Sequence, residues 1–313
     1  MEQLTDLKAI LHSKRANIYC LEKCRVMVKG GRVVFLTVAE TENQYWNIPI
    51  ANTTVVLLTM GTSITQAAVR MLASAGVLIG FSGTGGTPLI AASEVEWLSP
   101  QSEYRPTEYV QGWMSFWFDE EKRLHVAKHF QKLRISYLIS VWSKDSDLQS
   151  QGFYADDMDV SNALKSFSGK IENAHGVGDL FQIEAQLTKK MYKIAAKRTQ
   201  NKEFVRDRDA EDTANSFLNH GNYLAYGLAA TTLWVLGIPY AFAVMHGKTR
   251  RGALVFDVAD LVKDALVLPW AFICAKEQAS EQEFRQQCLQ TFTRHNALDF
   301  MFNEIKNVAL KKL

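Results

Sequence analysis

Cysteine and net charge are both scarce in this chain, and each scarcity removes a class of protein. Among 313 residues there are 4 cysteines, and neither Cys20 with Cys24 nor Cys274 with Cys288 has the spacing of a zinc knuckle's paired Cys-x-x-Cys units. The thiols therefore read as free, in a reducing cytosol. A formal net charge of +2 means that a nucleic-acid binder of this composition has to concentrate its positive charge locally. The opening Met1-Glu2-Gln3-Leu4-Thr5-Asp6 lacks a basic stretch followed by an apolar core, so no secretory signal is expected. No internal repeat or low-complexity tract stands out.

Two further absences decide between readings. The run Gly80-Phe81-Ser82-Gly83-Thr84-Gly85-Gly86-Thr87 has the glycines of a phosphate loop but not its Gly-Lys-Ser/Thr ending, and it reads as a turn. Tyr223 to Met245 contains no charged residue, which alone would suggest a membrane span. Gly237-Ile238-Pro239 interrupts it, leaving about fourteen helical residues where roughly twenty are needed to cross a bilayer. Asn219 and Asn222 add polar groups that lipid would penalise. A buried core helix, capped by Asp212 or Thr213 and stopped by Gly237, is expected instead.

What is present is enough to build a sizeable core: 47% of residues are hydrophobic and 22% charged. The pattern predicts an α+β chain of two domains, β-rich over 1–98 and helical over 108–313, with a linker over 99–107 marked by Pro100 and Pro106. Strands are predicted over 17–21, 25–28, 33–38 and 53–59, with Lys29-Gly30-Gly31-Arg32 as a hairpin turn. A helix over 64–75 follows, with Ser63 as N-cap, Gln66 completing a capping box and Gly76 as its stop. Strands over 77–81 and 88–92 close the domain. In the second domain Trp113, Phe116, Trp117, Leu124 and Phe130 supply apolar helix faces. Ser143 to Asp179 contains a polar, Gly- and Asp-rich stretch expected to hold long loops, and Thr199 to Asp212 is a charge-dense connection.

Against this apolar background stand Glu184, His246, Asp257 and Asp260. Glu184 lies within the apolar stripe of a predicted helix marked by Leu180, Leu187, Met191 and Ile194. Asp257, Asp260 and Asp264 fall along one edge of another, where they repel one another. Burying such groups costs hydration free energy, which a metal or an opposing charge can offset. Each residue also has a bland reading: an Asp pair can cap a helix, a lone His can be structural, and a Glu can reach solvent at a boundary. Their joint arrangement favours a site.

The chain resembles the CRISPR-associated adaptation integrases, the family of the first-numbered Cas protein, in their subtype I-F form. The resemblance is carried by Ile183-Glu184-Ala185, by Asn215 to Leu224 with Asn219 and Gly221, by Gly237-Ile238-Pro239, by His246-Gly247-Lys248 and by Phe256-Asp257-Val258-Ala259-Asp260. Ile64 to Gly80 resembles the family's β-domain, and the similarity spans essentially the whole chain. The resemblance implies a metal held by Glu184, His246 and Asp260, with Asp257 as an accessory acid. It implies Mg²⁺ or Mn²⁺ as the ion, since two carboxylates and one imidazole suit either. The implied reaction is attack of the 3′-hydroxyl of a short captured DNA on a phosphodiester at the end of a CRISPR repeat, giving spacer acquisition in antiviral defence. The implied partners are such DNA, a second copy joined through the β-domain, and the second-numbered Cas protein fused to a helicase-nuclease. The implied location is the prokaryotic cytoplasm, without a membrane.

Lys189, Lys193 and Lys197 repeat at helical spacing on the helix that carries Glu184, and Arg198, Lys202, Arg206 and Arg208 extend the basic run. A charged face is usually solvated surface, but beside Glu184 the three lysines become candidate phosphate contacts. Lys248, Arg250 and Arg251 are further candidate DNA contacts, from their place just after His246. Glu121, His125 and His129 also share a helical face, yet such a set spans about 12 Å along the axis, too far for one ion, so an exposed face is expected. A non-catalytic DNA-binding scaffold and a membrane-anchored protein are the alternatives to an integrase.

Overall fold

The computed structural model describes residues 17–38, 43–81, 96–98, 107–201, 203–207, 209, 212–247 and 252–311. The strand predicted over 88–92, most of the linker and of the glycine-rich turn, and Lys202, Arg208, Lys248, Arg250 and Arg251 lie outside the described residues. Two compact units follow one another along the chain, Met1–Pro106 and Thr107–Leu313.

The first unit holds β1 (Asn17–Leu21), β2 (Arg25–Lys29), β3 (Arg32–Val38), β4 (Asn43–Asn47), β5 (Thr53–Leu58), β6 (Ser63–Ile64), α1 (Gln66–Ser74), β7 (Leu78–Phe81) and β8 (Glu96–Leu98). One sheet has the order β1-β5-β7-β8 and the other β4-β3-β2-β6. In the first, β1, β5 and β7 run parallel and β8 antiparallel. Gly30 and Gly31 sit at φ +57 and +71, the double positive φ of a tight hairpin turn, and bring Val28 opposite Val33. Val26, Val33, Val56, Leu72 and Ile79 fill the core.

The helix predicted to begin at Ile64 begins at Gln66 instead. Ser63 N–H donates to the Cys24 carbonyl and Thr65 N–H to the Val26 carbonyl, so Ser63 and Ile64 are used as a short parallel strand beside β2. Thr65 rather than Ser63 is the N-cap, its hydroxyl accepting from Ala68 N–H at 3.3 Å.

The second unit is helical: α2 (Glu108–Trp117), α3 (Glu120–Trp142), α4 (Ser146–Ser150), α5 (Met158–Glu172), α6 (Val177–Arg198), α7 (Thr213–Leu236), α8 (Ala253–Val262), α9 (Leu268–Lys276), α10 (Glu281–Arg294) and α11 (Ala297–Ala309). Where long loops are expected within Ser143 to Asp179, the structure places α4 and α5, with only short connections around them. Asp145 and Asp157 cap them, and Val160, Leu164, Phe167 and Ile171 form an apolar stripe on α5, which packs against α6. Polar composition concealed a period that only this stripe reveals.

The uncharged α7 is the centre of the unit, packed against α8, α9 and α11. Asp212 caps it, accepting from Asn215 N–H at 3.1 Å, and Gly237 ends it at φ +68. Among the described residues, no helix is long and apolar enough to cross a membrane. Between α8 and α9 the chain makes one π-helical turn, Lys263–Val267. Gly221 allows α7 close to it: a Cβ there would lie 2.4 Å from Val267 Cγ1 and 3.1 Å from Phe284 Cζ.

Candidate metal centre

Three elements bring the predicted ligands together. Glu184 comes from α6, Asp260 from the last turn of α8, and His246 from the segment between α7 and α8. One donor atom from each can be chosen so that all lie within 4.8 Å of one another, and this is the one such metal-competent group among the described residues. Glu121, His125 and His129 do not form another.

Asp257 stands behind His246 and fixes it. Its Oδ2 accepts from Val244 N–H at 2.7 Å and Met245 N–H at 3.1 Å, and its Oδ1 accepts from His246 N–H at 3.0 Å. The same Oδ1 lies 2.7 Å from His246 Nδ1. Both oxygens are therefore engaged in holding the segment, and the proton belongs on Nδ1, which leaves Nε2 as the lone-pair nitrogen. Nε2 faces Asp260 Oδ2 at 3.9 Å. The resemblance implies an accessory acid at Asp257; in the structure its carboxylate contacts the His246 ring and the backbone of residues 244–246. Phe181 meets the ring edge-on at 5.3 Å and Phe256 lies 6.0 Å away.

Two cations that sequence reasoning missed complete the centre. Arg134 of α3 donates from Nη1 to Glu184 Oε1 at 2.7 Å and from Nε to Asp264 Oδ2 at 2.6 Å. Lys263 pairs with Asp260 across one helical turn. A signal for Arg134 existed: it occupies the middle of the ladder Val126, Phe130, Leu138 and Trp142, each four residues from the next ladder position, where an apolar side chain would be expected. Lys263 stands three residues after Asp260, the ordinary spacing of a helical ion pair.

These contacts set the charge states. Burial opposes the guanidinium and the ammonium, but the surrounding carboxylates outweigh it and hold the pKa of both Arg134 and Lys263 above the usual value. Burial likewise opposes ionisation of Asp260, yet Lys263, Arg134 and His246 together hold its pKa down. Burial and then the Asp260 charge push Glu184 up, against the pull of Arg134. Burial disfavours the imidazolium of His246, but the hydrogen bond to Asp257 and the charges of Asp260, Asp257 and Glu184 raise its pKa. Ligation requires Glu184 ionised and His246 neutral, against the direction of both shifts; in that form the carboxylates of Asp257, Asp260, Asp264 and Glu184 outnumber the cations Arg134 and Lys263 by two. That surplus matches one divalent cation, and two carboxylates with one imidazole are a donor set that Mg²⁺ or Mn²⁺ accepts.

Of the candidate phosphate contacts, Lys189, Lys193 and Lys197 are exposed along α6. Arg198 and Arg206, which continue the basic run in sequence, are committed to partners within the chain. Arg198 bonds Asp157 at 2.6 Å and covers the Phe153 ring at 5.3 Å. Arg206 donates to Asn215 at 2.7 Å and Asn219 at 2.6 Å.

The chain has counterparts among known proteins. The chain is 56% identical over 311 residues to a CRISPR-associated endonuclease Cas1 of Pseudomonas aeruginosa, covering 97% of this chain and 96% of the relative. It is 53% identical over 313 residues to one of Pectobacterium atrosepticum, covering 98% and 96%. Among solved structures it resembles a TtCas1–DNA complex, with a TM-score of 0.61, 20% identity and coverage of 93% and 91%. A casposase bound to integration product gives a TM-score of 0.68 at 14% identity, covering 94% and 91%. A Cas6-RT-Cas1–Cas2 complex gives 0.65 at 14%, covering 95% of this chain and 35% of that one. At such identities the structures speak for the fold. The family model for CRISPR associated protein Cas1 matches residues 18–305, a span that takes in Glu184, His246 and Asp260, and the chain belongs to that family.

Proposed function

We propose that this chain is a metal-dependent DNA integrase and endonuclease of the subtype I-F adaptation system, working in the cytoplasm with Mg²⁺ or Mn²⁺ held by Glu184, His246 and Asp260. The observation that carries the reading is the convergence of these three residues from separate elements to within 4.8 Å. The endonuclease names of the two close relatives and the casposase product complex support the same chemistry.

The reaction is strand transfer. The 3′-hydroxyl of a short DNA fragment gives up its proton to solvent as its oxygen bonds to a repeat-end phosphorus, the phosphorus–oxygen bond to the neighbouring nucleotide breaks, and that oxygen takes up a proton from solvent and leaves as a hydroxyl. What a divalent ion supplies when bound is polarisation of the scissile phosphate and compensation of charge on the entering and leaving oxygens. The chain's own groups do the rest. Asp257 keeps His246 Nε2 directed at the ion site, Arg134 holds Glu184, and the exposed Lys189, Lys193 and Lys197 offer positive charge to phosphates. The partners that follow are DNA with 3′-hydroxyl ends, repeat DNA, a second copy of this chain joined through the β-rich unit, and Cas2 fused to a helicase-nuclease. The Cas6-RT-Cas1–Cas2 complex and the TtCas1–DNA complex support the Cas2 and DNA assignments.

A strand-transfer assay tests this, using a labelled 3′-hydroxyl fragment and repeat duplex with Mg²⁺, Mn²⁺ or chelator. Chelator, His246→Ala and Asp260→Ala are each expected to abolish transfer while DNA binding persists. Transfer unaffected by all three would leave a non-catalytic scaffold as the better account.

A further inference from the structure

Arg134 is a buried arginine in an apolar helix stripe, with 4% of its side chain exposed, and its guanidinium contacts three residues of two other elements. Nε and Nη2 both lie 2.6 Å from Asp264 Oδ2. Nη1 donates to Glu184 Oε1 at 2.7 Å, and Nη2 donates to Thr188 Oγ1 at 3.3 Å, one turn along α6 from Glu184. One planar group thus ties α3 to α6 and to the π turn that follows Asp260.

Such an arrangement does more than fill space. A lone arginine on Glu184 would neutralise the carboxylate that an ion has to bind. Here Asp264 takes up the charge of Arg134, so Glu184 is gripped at one oxygen while the centre keeps its negative surplus. We propose that Arg134, balanced by Asp264, is the positioning residue of the metal centre, aiming Glu184 at the point it shares with His246 and Asp260. The inference rests on the metal-binding reading above. Arg134 touches neither the ion point nor DNA in this scheme; it acts through Glu184. A lysine cannot replace it, because a single ammonium on a flexible stem cannot hold this fork of partners at once.

The test is Mn²⁺ affinity, read from the electron paramagnetic resonance signal of free Mn²⁺ during titration of the full-length protein. Wild type, Arg134→Lys, Asp264→Asn and Glu184→Gln are compared, with strand-transfer kinetics measured alongside. The proposal expects Arg134→Lys to lower Mn²⁺ affinity at least tenfold and to reduce kcat, with KM for the DNA fragment unchanged. Asp264→Asn, which leaves Arg134 to neutralise Glu184 more fully, is expected to lose affinity as well. A folded Arg134→Lys protein with wild-type Mn²⁺ affinity overturns the proposal, even if its melting temperature is lower. If Arg134→Lys does not fold, Asp264→Asn decides: a tenfold loss supports the proposal and wild-type affinity overturns it. A wild-type protein that binds no Mn²⁺, like Glu184→Gln, defeats the metal reading itself rather than the role of Arg134.

Discussion

Asp257 grips His246 twice through one oxygen: Oδ1 accepts the backbone N–H at 3.0 Å and lies 2.7 Å from ring Nδ1. The acid thereby sets both where the residue's backbone sits and which ring nitrogen carries the proton. Asp257→Asn cannot reproduce this, because its amide offers one acceptor where the carboxylate offers two. Either Val244 and Met245 N–H or the His246 side loses its partner. The expected cost is roughly 1–3 kcal/mol of folding stability, measured by denaturant unfolding. Metal affinity is expected to fall by about 10- to 100-fold, as for other residues that orient a ligating histidine, measured by Mn²⁺ titration. Unchanged affinity in a folded variant would mean that the imidazole is held by other contacts.

Gly221 and Gly227 lie on the same helix and should respond oppositely to alanine. A methyl at 221 would meet Val267 Cγ1 at 2.4 Å in the packed interior behind the π turn, whereas a methyl at 227 meets nothing within 4 Å. Gly221→Ala is expected to destabilise by roughly 1–3 kcal/mol, the usual cost of overpacking. Gly227→Ala is expected to stabilise by up to about 1 kcal/mol through helix propensity. Urea denaturation of the two variants measures both, and equal shifts would show that the α7 contact with the π turn is loose.

Legibility in the sequence followed the range of the interactions. The hairpin at Gly30-Gly31 and the stop at Gly237 were readable because each depends on a backbone conformation that glycine adopts with little cost. α1 starts two residues later than local capping preferences predict, because pairing of Ser63 and Ile64 with β2 is a non-local demand that they do not encode. At the candidate site Glu184, His246 and Asp260 stand out in the sequence by their cost of burial and by family resemblance, and the structure brings their donor atoms within 4.8 Å of one another. Arg134 is hard to single out in the sequence because α3 is rich in charge: among Lys122, Arg123, Lys128 and Lys132 only position on the apolar ladder distinguishes it. Asp264 was seen as one of three repelling acids, and its partner lies 130 residues away in sequence.

Acid should weaken the second unit through Asp145. This buried residue accepts from Asp147 and Leu148 N–H at the start of α4, and its Oδ2 lies 2.5 Å from His295 Nε2. Burial raises its pKa, but the hydrogen bonds from His295 and Leu148 and the charges of His295 and Arg294 outweigh it, and the net shift is downward. A carboxyl with a depressed folded-state pKa contributes stability that is fully present above its unfolded value, about 3.9, and is lost as pH falls through the folded one. The melting temperature of wild type should therefore exceed that of Asp145→Asn at neutral pH, with the gap narrowing below about pH 4. A gap independent of pH would assign the contribution to packing or capping rather than to charge.

The lysines of α6 separate positioning on DNA from chemistry. Lys189, Lys193 and Lys197 follow one another at four-residue spacing on an exposed face, and the one ion pair shown for them, Lys197 with Asp159 at 3.4 Å, is itself largely exposed and worth little. If each contacts a phosphate, replacing it by Gln removes one contact that releases a counterion. The slope of log affinity against log salt should then fall by about 0.9 for each lysine removed, on duplex DNA of any sequence. Fluorescence anisotropy over a salt series measures this, with Mn²⁺ affinity as the control that should stay constant. A triple variant with the wild-type salt slope would place the DNA path elsewhere, and one that loses Mn²⁺ affinity would show that the substitutions reach Glu184 through the helix they share.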